Sequence, residues 1–94
     1  MLIRGLEKLD GFLKQHPKAR SPMARWRAIA APADWNSIMA IREVWPTADL
    51  IKGTEFTCFN IGGGKYRLIT IVSYRLQSIA IVKLLTHAEY DRRY

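Results

Sequence analysis

The hydrophobic pattern of this chain changes period once, near its middle. Ahead of Glu55 the apolar residues recur at three- and four-residue spacing and are punctuated by prolines. From Glu55 onward they come in runs rich in Ile, Val, Thr, Phe and Tyr. The first pattern is that of helices with one apolar face, and the second that of short strands bounded by turn residues. Helices first and strands after point to an α+β fold, with a small antiparallel sheet and the N-terminal helices packed on one of its faces.

Leu2 and Ile3 predict a short strand over Met1–Arg4. Leu6, Leu9, Phe12 and Leu13, with Lys8, Asp10 and Lys14 between them, predict an amphipathic helix that stops near His16, because Pro17 disfavours helical geometry in the residue before it. Ser21 as N-cap and Pro22 at the first helical position open a second helix, which runs through Met23, Trp26, Ile29 and Ala30 to Pro32. Ile38, Ile41, Val44 and Trp45 suggest a short third helix ended by Pro46.

Glu55–Ile61, Tyr66–Tyr74 and Ser78–Leu85 read as an antiparallel meander turned by Gly62-Gly63-Gly64 and Arg75-Leu76-Gln77, with Leu50 and Ile51 as a short strand ahead of it. In the middle strand Tyr66, Leu68, Thr70, Val72 and Tyr74 point one way, and Arg67, Ile69, Ile71 and Ser73 the other. Both faces are largely apolar. The helices cover only one, so the other is expected to be partly open, groove-like or buried against a partner. Thr86 followed by Glu89 is a capping-box spacing, which starts a tail helix at Thr86.

Ninety-four residues suit one domain spanning 1–94. The lone Cys58 excludes an intrachain disulfide and a thiolate zinc cage. No charge-free stretch reaches the ~18 residues of a membrane-spanning helix. Arg4, Glu7, Lys8 and Asp10 follow the first three residues too closely for a signal peptide, so the expected compartment is a reducing cytoplasm. Fifteen Lys and Arg against eight Asp and Glu leave a formal charge of +7, the balance of a protein whose partner is a polyanion. Lys14, Lys18, Arg20, Arg25 and Arg27 form the most basic stretch, read either as a solvated helix face or as a surface for nucleic acid or an acidic partner.

Several chemistries fail on spacing. Gly64-Lys65 lacks the rest of a phosphate loop, no H-E-x-x-H or G-x-S-x-G is present, and His16, His87 and Cys58 have no recognised metal-ligand spacing, so neither a metal nor a cofactor is expected. The strand ends and the tail gather Asn60, Lys65, Tyr66, Arg67, His87, Tyr90 and Asp91. RNA is cut without a metal when a base takes the 2′-hydroxyl proton, a cation stabilises the crowded phosphate and an acid protonates the leaving 5′-oxygen. Arg and Lys bring fixed positive charge to the phosphate, and Tyr66, Tyr74 and Tyr90 are aromatics of the kind that stack unpaired bases. At the first position of the tail helix, the positive end of the peptide dipoles favours a neutral imidazole at His87, the form that accepts a proton.

The stretch F-N-I-G-G-G-K-Y-R-L at Phe59 to Leu68, followed after one more strand by T-H-A-E-Y-D at Thr86 to Asp91, resembles the HigB family of toxins from type II toxin–antitoxin modules, within the wider RelE-like group. W-P-T-A-D at Trp45 to Asp49 and the opening order of a short strand and two helices are similar to that family too. The resemblance implies a RelE-like α+β fold and an mRNA endoribonuclease acting on transcripts, often at the ribosome. It also implies a HigA-type antitoxin that holds the toxin inactive and joins it in a complex on operator DNA. Asn60, Lys65, Tyr66, Arg67, His87, Tyr90 and Asp91 stand at the family's motif positions. On them the chemistry above places Arg67 and Lys65 on the scissile phosphate, His87 as proton acceptor, and Tyr90 as either proton donor or base stack. Asn60, Tyr66, Lys83 and Asp91 complete an RNA-binding set with Lys65. Relatives often carry Asn at the third turn position, where this chain has Gly64, and both tolerate a left-handed backbone. A non-catalytic RNA- or partner-binding module, a toxin-like relic, has the same charge and aromatics without a working base.

Overall fold

The strands assemble into one five-stranded sheet in the order β1-β5-β4-β3-β2, as seen in a computed structural model that describes residues 1–94. The strands are β1 (Leu2–Arg4), β2 (Asp49–Leu50), β3 (Thr57–Ile61), β4 (Tyr66–Ser73) and β5 (Ser78–Thr86). The helices are α1 (Asp10–Gln15), α2 (Arg20–Ala30), α3 (Ile38–Val44) and α4 (His87–Arg93). The β3-β4-β5 meander is antiparallel, as its short turns dictate. The sheet as a whole is mixed rather than antiparallel, because β1 runs parallel to β5, with Leu2 opposite Ser78 and Arg4 opposite Ala80. No hairpin links those two strands, so no tight turn fixes their sense, and strand periodicity carries no direction.

The helical half keeps its expected order but shifts its starts. A 3-10 turn over Leu6–Leu9 precedes α1, which ends at His16 before Pro17. Ser21 is not the cap of α2. A 3-10 turn over Pro17–Ala19 leads straight into a helix that begins at Arg20, so Ser21 and Pro22 lie inside its first turn. Pro17 opens the helical stretch, and Pro22 is tolerated because first-turn amides have no helical acceptor. At α3 the Ser37 hydroxyl accepts from the Ala40 amide at 3.1 Å.

The main core lies between the helices and one face of the sheet, where Trp26, Ile41, Phe59, Ile61, Leu68, Ile79 and Ile81 are buried. Trp26 meets Phe59 edge-on with ring centroids 5.3 Å apart. Burying each such side chain stabilises by about 1.5–3 kcal/mol. A second, smaller cluster fills part of the other face: Ile51, Cys58, Ile69 and Leu85 are buried beneath Phe56, Val82 and Tyr90. The tail helix therefore covers some of the face that the N-terminal helices leave open. Its capping box is formed, the Thr86 amide donating to Glu89 Oε1 at 2.9 Å and the Glu89 amide to Thr86 Oγ1 at 3.2 Å.

Candidate functional site

Three consecutive glycines turn β3 into β4 with φ values of 64°, 65° and 92° at Gly62, Gly63 and Gly64. This left-handed backbone is open to glycine at little cost and makes the hairpin tight. At Gly62 a Cβ would also come within 3.3 Å of the Tyr66 ring. The Gly64 carbonyl accepts a hydrogen bond from the guanidinium of Arg67, and the Tyr66 carbonyl lies 3.4 Å from the same nitrogen.

Arg67 sits opposite Asn60 on β3 and Leu85 on β5, and it projects to the sheet face away from the N-terminal helices. Its guanidinium lies over the ring of Tyr90, 5.5 Å from the centroid. Tyr90 comes from α4, half-buried, and packs against the small cluster that holds Cys58. Burial pushes the Cys58 thiol up to about 11, although Arg67 and the Tyr90 hydroxyl pull it down. Burial, and then Cys58, also raise the Tyr90 phenol, against the pull of Arg67. Thiol and phenol therefore both keep their protons at neutral pH.

Beside Tyr90 on α4, His87 Nδ1 and Asp91 Oδ2 are 3.1 Å apart, with side chains 55% and 59% exposed. The carboxylate thus stands beside the ring, where it can balance the charge of an imidazole that takes up a proton. The His87 amide donates to the Lys65 carbonyl at 2.9 Å, which pins the start of α4 to the glycine turn. Lys83, exposed on β5 opposite Ile69, lies on the same face as Arg67.

The structure thus gathers Lys65, Arg67, His87, Tyr90 and Asp91 around the turn and the tail helix, with Lys83 further along the face. Asn60 is the cross-strand partner of Arg67 and shares its face, whereas one expected residue lies elsewhere. Tyr66 alternates to the helix side, where its ring meets Phe12 edge-on at 5.8 Å and His16 at 6.1 Å. Adjacent strand residues face opposite sides, so Tyr66 and Arg67 cannot share a face. Asn60 lines an open cleft of about 350 Å³ at the sheet edge, together with Arg25, Trp45, Thr47, Gly63 and Gly64.

Sequence spacing gave His16 no role. The structure stacks it on Phe12, with centroids 4.3 Å apart, and the imidazole is close enough to Glu89 to bear on its carboxylate. The four-residue interval from Phe12 was the signal available for that stack. Arg25, expected on a basic helix face that is either solvated or a surface for nucleic acid or an acidic partner, has its guanidinium 5.9 Å from the Trp45 ring centroid. The fold groups no three His, Cys, Asp or Glu side chains as metal ligands.

The family model described as HigB_toxin, RelE-like toxic component of a toxin-antitoxin system, matches residues 19–93 of this chain. No curated protein is found to match it.

Proposed function

The chain belongs to the HigB toxin family, the RelE-like toxic components of toxin–antitoxin systems, and from that premise we propose that it is a metal-independent mRNA endoribonuclease restrained by a HigA-type antitoxin. The observation that carries the reading is Arg67, tied to the Gly64 carbonyl and laid over Tyr90, on the helix that also carries the His87–Asp91 pair. A fixed cation resting on the helix that carries an imidazole paired with a carboxylate offers what transesterification of RNA needs.

In this reading His87 Nε2 takes the proton from a ribose 2′-hydroxyl, and Asp91 stabilises the imidazolium that forms. The 2′-oxygen attacks phosphorus as the bond to the 5′-oxygen breaks. Arg67 stabilises the charge that gathers on the phosphate oxygens. The Lys65 ammonium, exposed on the turn that His87 abuts, adds charge and donates a proton to the leaving oxygen. The products carry a 2′,3′-cyclic phosphate and a 5′-hydroxyl. In this reading Tyr90 is neither the proton donor nor the base stack expected of it but a positioning residue, its ring flanked by Arg67 and by Tyr94, 5.2 Å away. Asn60, across from Arg67, and Lys83, further along the same face, hold the RNA on either side of the reacting phosphate.

The site of action proposed is the cytoplasm, on mRNA at the ribosome, and the antitoxin complex is proposed to bind operator DNA. No helix of the chain is long and apolar enough to cross a membrane. Tightly induced expression in a bacterial host, with and without a HigA-type partner, tests the proposal. Growth arrest with discrete new 5′-hydroxyl mRNA ends, suppressed by the partner, is the expected result. Arrest with intact transcripts contradicts the nuclease, and normal growth with soluble, folded protein favours the non-catalytic relic.

A further inference from the structure

We propose that the cleft at the sheet edge is a nucleotide subsite, which takes the base and the adjoining phosphate of the RNA residue next to the one cut at Arg67. This rests on the RNA-cleaving reading and extends it to substrate binding outside the reacting atoms.

The cleft is built for a planar, anionic ligand. Its volume of about 350 Å³ falls within the ~300–1,000 Å³ of ligand sites. Its lining carries the Arg25 cation and no carboxylate. The Trp45 indole is held before any ligand arrives, because its N–H donates to the Asn60 carbonyl at 3.0 Å and its ring meets Phe59 edge-on at 6.5 Å. Arg25, exposed on α2, has its guanidinium 5.9 Å from that ring, so two flat groups border one opening. Bases stack on indole and guanidinium planes whatever their sequence.

The glycine turn supplies the second half of the site. The Gly63 and Gly64 amides donate to no acceptor within the protein. Both residues have left-handed backbones, and a Cβ at Gly63 would meet nothing within 4 Å. Free successive amides in a turn form a concavity suited to an anion. Gly64 also joins the two places, because it lines the cleft and its carbonyl holds Arg67. A chain with one phosphate on Arg67 therefore has its next residue at the mouth of the cleft.

The test uses the full chain and a short single-stranded 2′-O-methyl oligonucleotide, which binds as RNA does but has no 2′-hydroxyl to react. Binding is followed by anisotropy and by quenching of tryptophan fluorescence. Wild type is expected to bind with quenching. Arg25→Ala should weaken binding on the order of tenfold, Arg25→Lys should recover only part of it, and Trp45→Phe should remove most of the quench. Lys18→Ala, which removes an equal charge outside the cleft, should change affinity little. On cleavable RNA, Arg25→Ala should raise KM and leave kcat near that of wild type. Wild type that does not bind, variants that bind and quench as wild type does, or an equal loss in Lys18→Ala each overturn the subsite. Failure of the nuclease reading shows separately, as wild type that binds the oligonucleotide in this cleft and cuts nothing.

Discussion

The Arg67 guanidinium rests over the Tyr90 ring, 5.5 Å from its centroid, and so joins the middle strand of the meander to the tail helix. The arginine reaches that position because the Gly64 carbonyl, at the end of a left-handed glycine turn, accepts from it. The tyrosine reaches it because the formed capping box starts α4 at the sheet edge. The proposed centre therefore depends on two local motifs, a turn and a cap, as much as on its reacting groups.

If Tyr90 positions Arg67 through its ring, Tyr90→Phe should retain most RNA cutting, whereas Tyr90→Ala should lose at least tenfold. A stacked cation contributes about 0.5–2 kcal/mol to holding the guanidinium in place. Cleavage rates of the two purified variants decide this, and equal, near-complete losses would give the hydroxyl a chemical role instead.

Arg67→Ala should lower kcat far more than Arg25→Ala does, on the order of a hundredfold or more, because Arg67 acts on charge that develops only in the transition state. Arg67→Lys should restore little of the loss, since an ammonium offers no planar fork to two phosphate oxygens. Equal losses at Arg67 and Arg25 would mean that the reacting phosphate lies elsewhere.

Removing the cap should loosen α4 while sparing the rest. Thr86→Ala is expected to cost about 1 kcal/mol locally. The hydrogen bonds from Thr86 hold the Glu89 carboxyl below its usual value. A depressed carboxyl stabilises the folded form above its unfolded pKa, and this contribution is lost as pH falls through the folded value. Protection of the α4 amides, relative to their unstructured exchange rates at the same pH, should therefore fall in Thr86→Ala at neutral pH, and in wild type on acidification, before that of the sheet amides.

Alkali should act through the cluster under Tyr90. The Cys58 thiol is raised from an ordinary 9.0 to about 11, so between those values the unfolded chain has lost a proton that the folded chain keeps. Stability should fall as pH climbs through that window, and Cys58→Ala should flatten the fall. Denaturant midpoints at several alkaline pH values measure it, and parallel curves for the two proteins would contradict the burial argument.

Much of the fold was legible because each signal was local. The glycine triplet, the Thr86–Glu89 spacing and the change of period near Glu55 each specify their element without help from distant residues. The parallel pairing of β1 with β5 was not legible, because it joins distant parts of the chain and no turn encodes it. At Ser21 two helix-opening signals competed, and the earlier proline won because a 3-10 turn ran on into the helix. Strand alternation already implied that Tyr66 and Arg67 part company, yet the motif that lists them side by side hides it. The approach of Arg25 to Trp45 needed the fold, since it depends on how α2 lies against the segment that follows α3.

The central claim is that Arg67 and His87 carry out RNA cleavage. It is tested most directly by mapping new 5′-hydroxyl mRNA ends after tightly induced expression of wild type, Arg67→Ala and His87→Ala at matched levels. The account predicts discrete cuts with wild type and their near-complete loss in both variants, each remaining folded and able to bind 2′-O-methyl RNA. Cuts that persist unchanged in both variants would contradict it.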